Sequence, residues 1–187
     1  MARSQKTAIR TPPPVSLPLS DVADVSFHPR SRAGILRASA DLVAEGGLKG
    51  LTMAGVARRA GLAKATVYNH MRDRDELVSA LLADQWSQLR LTCAAAPRDI
   101  RLTVAATWIS ESVVLAGLRT HDPSALVRLA EQAVTDDSVL DEVGTWAPDG
   151  ANAEAALRWL LSFVVAPHAA QSAEQAVQAD SPEILLG

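Results

Sequence analysis

Between Gly61 and Met71 the chain reads GLAKATVYNHM, and this short run places an ammonium (Lys64), a hydroxyl (Thr66), a phenol (Tyr68), an amide (Asn69) and an imidazole (His70) side by side. A helix buried in a core does not hold so many polar groups. Lysine donates to guanine edges, and threonine offers a methyl to thymine and a hydroxyl to bases or phosphate. Tyrosine and histidine suit phosphate contacts, which fix orientation more than sequence. Catalytic constellations are missing by comparison. The sequence shows no paired carboxylates, no glycine-rich phosphate loop and no nucleophile with a matched base, so an enzyme is not expected. His28, His70, His121 and His168 have no metal-ligand spacing, and no cofactor is implied. The one cysteine, Cys93, excludes a disulfide framework, reads as a small packed residue and suits a reducing cytoplasm.

The elements around that run make it a surface. Ala57, Gly61 and Val67 stand four and then six residues apart. A helix-turn-helix needs a small residue where its helices cross, a glycine in the turn and a branched apolar residue on the inner face of the second helix. Thr52 is placed as an N-cap for TMAGVARRA, and Gly61 ends that helix. Leu62, Val67 and Met71 pin the second helix from inside, leaving Lys64, Ala65, Thr66, Tyr68, Asn69 and His70 for a partner. Arg58, Arg59, Arg72 and Arg74 surround it. In such motifs the second helix enters the DNA major groove.

Charge supports a division of the chain. Residues 1–75 carry 12 Lys/Arg and 6 Asp/Glu, whereas residues 76–187 carry 6 and 15. A basic module precedes an acidic one. The helical spacing predicts an all-α protein, with few runs of β-branched alternation. Residues 1–29, with TPPPVSLPLS, read as a disordered tail in which Arg3, Lys6 and Arg10 are solvated or touch phosphates. The DNA-binding domain is set at 30–76 and a helical domain at 77–187. A first helix runs from Ser31 to the EGG at 45–47, and a long one from about Asp73 to Leu91. Further helices are expected over roughly 98–119, 123–134, 137–143, 151–166 and 170–179, with breaks at Asp122-Pro123, at GTWAPDG (144–150) and at Pro167. The longest apolar run, WLLSFVVA, is too short to span a bilayer, and no partner membrane is expected.

Residues 31–86 resemble the DNA-binding domain of the tetracycline-repressor (TetR) family of bacterial transcription regulators. The likeness is strongest over LTMAGVARRAGLAKATVYNHMRDRDELVSALL, residues 51–82. Thr52, Ala57, Gly61, Tyr68, His70 and Leu77 fit the family pattern, as does an acid at Asp75 or Glu76. Ala63 stands where the family has Ser or Thr, Met71 where it has phenylalanine and Arg74 where lysine is common. The resemblance implies phosphate contacts from Thr52, Tyr68, His70 and Arg74. It places Lys64, Ala65 and Thr66 at base edges, Asn69 at either, and Arg30 and Arg32 at the backbone or minor groove. It also implies a cytoplasmic homodimeric repressor, nucleoid-associated when bound to an inverted-repeat operator in double-stranded DNA, with a C-terminal ligand-binding and dimerisation domain.

The C-terminal half adds its own indications. AALRWLLSFVVA, 155–166, is apolar around most of its circumference, so it needs cover on two sides. Ala155, Arg158, Trp159, Ser162 and Phe163 are the expected dimer contacts. Trp86, Trp108, Leu126, Leu129 and Trp159, with Ile109 and Val113, are apolar candidates for a ligand pocket. Arg101, Glu111, His121 and Gln132 are the polar ones. They suggest a small apolar or amphipathic effector. The alternative is a DNA-binding regulator with no small-molecule effector, constitutive or protein-regulated, whose C-terminal core is closed and dry.

Overall fold

A computed structural model describes residues 21–167, with side chains from Ser31 onward. The helices are α1 Asp21–Gly50, α2 Met53–Ala60, α3 Lys64–His70, α4 Arg74–Ala95, α5 Arg101–Glu111, α6 Val113–His121, α7 Pro123–Thr135, α8 Asp137–Trp146 and α9 Ala153–Val165. A single 3-10 turn, Arg98–Ile100, leads into α5. No strand occurs among the described residues. The all-α architecture expected from the spacing is the one adopted.

The first boundary differs from expectation. The sequence ends the tail at residue 29, whereas α1 is already helical at Asp21. The helix runs through Pro29, which has no amide to donate, and an existing helix gains one hydrogen bond for each other residue added. Residues 1–20, the helix expected at 170–179, and His168 lie outside the described residues, as does the side chain of Arg30. At its other end α1 is interrupted where EGG predicts: Gly46 (φ −150°, ψ 17°) and Gly47 (φ 63°, ψ −167°) leave helical geometry before a last turn to Gly50. Gly47 occupies backbone space that is essentially reserved for glycine.

The long α4 joins the two parts of the molecule without a break at residue 76. It packs against both α1 and α5. Leu77, Leu81, Leu89 and Cys93 are its buried residues. Burial pushes the Cys93 thiol up to about 11, so it stays protonated and unreactive near neutral pH. The helix expected over 98–119 is in fact two. Ser112 stands between α5 and α6 with extended geometry (φ −60°, ψ 115°), and its hydroxyl accepts the Leu115 amide at 3.3 Å as an N-cap. The segments on either side are bent by 51°. Asp122 then separates α6 from α7, and Pro123 takes the first position of α7, where its missing N–H costs nothing. Helix α9 stops at Val165, with Ala166 non-helical ahead of Pro167. No single helix among the described residues is long and apolar enough to cross a membrane.

The bend sends α6 back across α1. At Gly117 the two backbones meet: an added Cβ would strike the Val43 carbonyl oxygen and lie 2.6 Å from the Ala44 Cα. At Gly47 an added Cβ would lie 2.9 Å from the His121 Cβ. Gly117→Ala must therefore separate α1 from α6. It is expected to cost about 1–3 kcal/mol or more, the usual size of overpacking, and urea unfolding of the variant checks it.

Candidate DNA-contacting surface and interior cavity

The turn between α2 and α3 is built from local chemistry. The Thr52 hydroxyl accepts the Gly55 amide at 3.0 Å and caps α2. Gly61 adopts the left-handed conformation (φ 67°, ψ 29°), and its amide donates to the Arg58 carbonyl. The Leu62 amide donates to the Ala57 carbonyl at 2.9 Å. This pair of bonds is the Schellman termination, which only a residue tolerant of positive φ completes without strain. Helix α3 follows at once, and Val67 is its one buried residue. Met71 is fully buried beyond its end, and its amide closes on the Val67 carbonyl.

That packing leaves the expected polar face outward. Lys64, Ala65, Tyr68 and Asn69 are exposed, while Thr66 and His70 are half-buried. Tyr68 is 47% exposed, a large aromatic with no core to fill. Arg32 reaches the same corner from α1, its guanidinium 3.9 Å from the Met71 Sδ. Thr52 is exposed, and although its oxygen is used as a cap its O–H proton is free to donate.

The arginines around α3 are less alike than the sequence suggests. Arg59 binds Glu45 at 2.6 Å and lies 3.7 Å from Asp41. The hydrogen bond from Arg59 holds the Glu45 carboxyl below its ordinary range. Glu76 is held low in the same way, first by the Arg72 backbone amide and then by its guanidinium. Arg74, expected on phosphate, instead donates from Nε to the Leu51 carbonyl at 2.9 Å and from Nη2 to the Leu48 carbonyl. Its fork ties the start of α4 to the link between α1 and α2, because the last carbonyls there have no helical partner. Lys64 makes no ion pair among the described residues, so its charge is available on the surface.

The C-terminal half holds a cavity of about 230 Å³ among α4 to α9. Of the expected residues, Trp86, Trp108, Ile109, Leu126 and Leu129 line it. Arg101, Glu111, His121 and Trp159 do not. The Arg101 Nε donates to the Ala96 carbonyl at 3.1 Å and closes the end of α4. Glu111 is exposed at the end of α5, and His121 sits at the end of α6 against Gly47. Trp159 lies on the outer face of α9, 42% exposed. Val113 and Gln132 are exposed too.

Most of the wall comes from residues the sequence does not single out, Trp146, Gln85 and Ser112 among them. Trp146 is 2% exposed and meets Trp86 at a 44° tilt, ring centroids 5.7 Å apart. It was assigned to a loop, yet the spacing Val139, Val143, Trp146 is a helical stripe that carries α8 three residues further. Gln85 and Ser112 also line the cavity. A further unforeseen residue is Arg119, whose guanidinium reaches the Val164 carbonyl at 3.1 Å and the Phe163 and Ser110 carbonyls at 3.5 Å. It satisfies the open C-terminal ends of α5 and α9 together.

On α9, Ala155, Arg158, Trp159 and Ser162 form an exposed face, extended by Val165. Phe163 does not belong to it: it is 2% exposed and packs inward with Trp159 edge-on, ring centroids 4.7 Å apart. Helix α9 thus has an inner face of Ala156, Leu157, Leu160, Phe163 and Val164, and a partly apolar outer face.

Ala63 leaves α3 without a side-chain cap, although its backbone (φ −64°, ψ 144°) already has capping geometry. Ala63→Ser is expected to raise stability by about 0.5–1 kcal/mol, as a recovered N-cap does, read as a higher midpoint in urea.

Comparison with known proteins agrees with this surface. Residues 35–81 match the family described as bacterial regulatory proteins, tetR family. Over 70 residues the chain is 36% identical to the HTH-type transcriptional regulator Rv1816 of Mycobacterium tuberculosis, and equally to Mb1846 of Mycobacterium bovis. Each match covers 37% of this chain and 29% of the relative. A solved TetR family protein from Vibrio parahaemolyticus overlaps 71% of this chain and 97% of its own, at 21% identity and a TM-score of 0.39, too low to equate the two folds. The part of the chain that is similar to bacterial regulatory proteins of the tetR family is thus its helix-turn-helix domain, and the chain spans under a third of the length of the regulators it matches.

Proposed function

We propose that the chain is a homodimeric repressor, working in the bacterial cytoplasm, that releases an inverted-repeat operator when a small molecule occupies the α4–α9 cavity. The observation that carries this reading is the double role of α6. Val114 and Leu115 form part of the cavity wall. Gly117, less than a turn further on, rests on the α1 backbone. A ligand that displaces α6 has no side chain to compress before it moves α1. Helix α1 in turn packs on α2 and α4, and α2 on α3. Helix α4 supplies a second route through Gln85 and Trp86 in the same wall.

Two recognition helices must stand about 34–36 Å apart to reach successive major grooves. A ligand that favours another separation lowers operator affinity by its differential affinity for the two states, commonly about 1–3 kcal/mol or 5- to 150-fold. In this scheme Lys64, Ala65 and Thr66 face base edges. Thr52, Tyr68 and His70 hold phosphates, with Asn69 able to do either. Arg32 reaches the backbone beside α3. Arg74, exposed beside α3, ties α4 to the Leu48 and Leu51 carbonyls and keeps its charge within reach of a phosphate. The alternative, a regulator without an effector, calls for a filled core, and a cavity of about 230 Å³ argues for the ligand-responsive form.

Two experiments test the proposal. Tyr68→Ala is expected to weaken binding to the operator and to unrelated duplexes alike, by roughly tenfold or more, since a hydrogen bond to a charged group contributes ~1.5–3 kcal/mol. A change of base preference at constant overall affinity would instead assign Tyr68 to base readout. Trp159→Asp places a charge on the outer face of α9. Sedimentation equilibrium is expected to show monomer, and an intact dimer would move the interface elsewhere.

A further inference from the structure

The wall of the cavity is selective in what it lacks. Among the described residues no Lys, Arg, His, Asp or Glu lines it. Nearly all of its wall is hydrocarbon, and Gln85, Ser112, Trp86, Trp108 and Trp146 are the lining residues that carry a polar side-chain atom. Ser112 already accepts the Leu115 amide. No side-chain partner meets the Gln85 amide among the described residues. An indole nitrogen donates and never accepts. The wall therefore offers several donors, a single amide that does both, and no counter-charge. A charged ligand would leave water with nothing to pair against, which is the costliest kind of burial. Since a dry cavity of ~150 Å³ holds benzene, about 230 Å³ holds roughly nine or ten non-hydrogen atoms.

We infer that the cavity selects an uncharged, largely hydrocarbon molecule carrying one acceptor oxygen, such as a ketone, ether or ester, and rejects carboxylates and ammonium compounds. The inference rests on the reading of the cavity as an effector site. The indole N–H groups and the Gln85 amide supply the donors for that oxygen, and the leucines and valines of α6 to α9 cover the hydrocarbon. Both ends of the recognition meet at Ser112, the joint from which α6 departs toward α1.

Three probes of nearly one shape test it by isothermal titration of the full chain: para-methylacetophenone, para-toluate and para-methylbenzylammonium. The ketone is expected to bind at least about tenfold more tightly than either ion, with a negative heat-capacity change from apolar burial. An ion that binds as well as the ketone overturns the inference. So does the absence of binding by all three, the result if residues 168–187 or a second copy fill the space. Ala133→Phe fills the cavity from α7 and is expected to abolish ketone binding. Should that variant fail to fold, Ala130→Leu gives a smaller loss, and undiminished affinity in a folded variant overturns the site. Operator affinity is measured separately with the ketone present. Binding that leaves the operator complex intact sinks the release mechanism while upholding the ligand class.

Discussion

Helix α6 lies on α1 with no side chain between them, because position 117 is glycine. Main chain against main chain is the least compliant contact a protein makes. A side chain can change rotamer to absorb a displacement, whereas two backbones can only move together or part. The second contact, Gly47 against His121, lies four residues along both segments, so the pair is fixed over a full turn rather than at one point. The orientation of α1 is thereby set from the C-terminal half. The helix-turn-helix is hung on α1, α2 directly and α3 by way of α2.

The recognition helix depends on that frame more than most helices do. It has seven residues and one of them buried, far too little to hold itself together in water. Its geometry is imposed from outside. Gly61 sets the angle at which it leaves α2, Val67 anchors its inner face, and Met71 closes its end beside Arg32. Arg74 fixes the next helix to the Leu48 and Leu51 carbonyls. A basic residue beside α3 here organises the protein itself.

The helix-turn-helix was legible because each of its parts announces itself locally: a threonine cap, a glycine turn, a branched residue at the right spacing. What the sequence concealed depended on partners far along the chain. Arg74 has the chemistry of a phosphate ligand, but its acceptors lie 23 and 26 residues away. Ser112 stands behind Ser110 and Glu111 in a stretch with apolar residues at helical spacing on both sides, so the cap it makes for α6 is hard to tell from a serine within one long helix. Helix α9 is apolar on most sides, so nothing in its periodicity separates Phe163, which points inward, from Trp159, which does not. Arg101 and His121 were plausible polar groups for a pocket, yet both sit at helix ends, where open carbonyls or a neighbouring backbone account for them. Trp146 was hidden by a loop assignment that ended α8 too soon.

The distribution of aromatic residues has a consequence of its own. The four tryptophans, Trp86, Trp108, Trp146 and Trp159, all lie in the half that holds the cavity, and three of them line it. The chain's single tyrosine stands alone on α3, 47% exposed. Each end of the molecule thus carries its own intrinsic chromophore. Indole emission excited at wavelengths where phenol does not absorb therefore reports the cavity-bearing half alone, so events there can be followed without attaching a label.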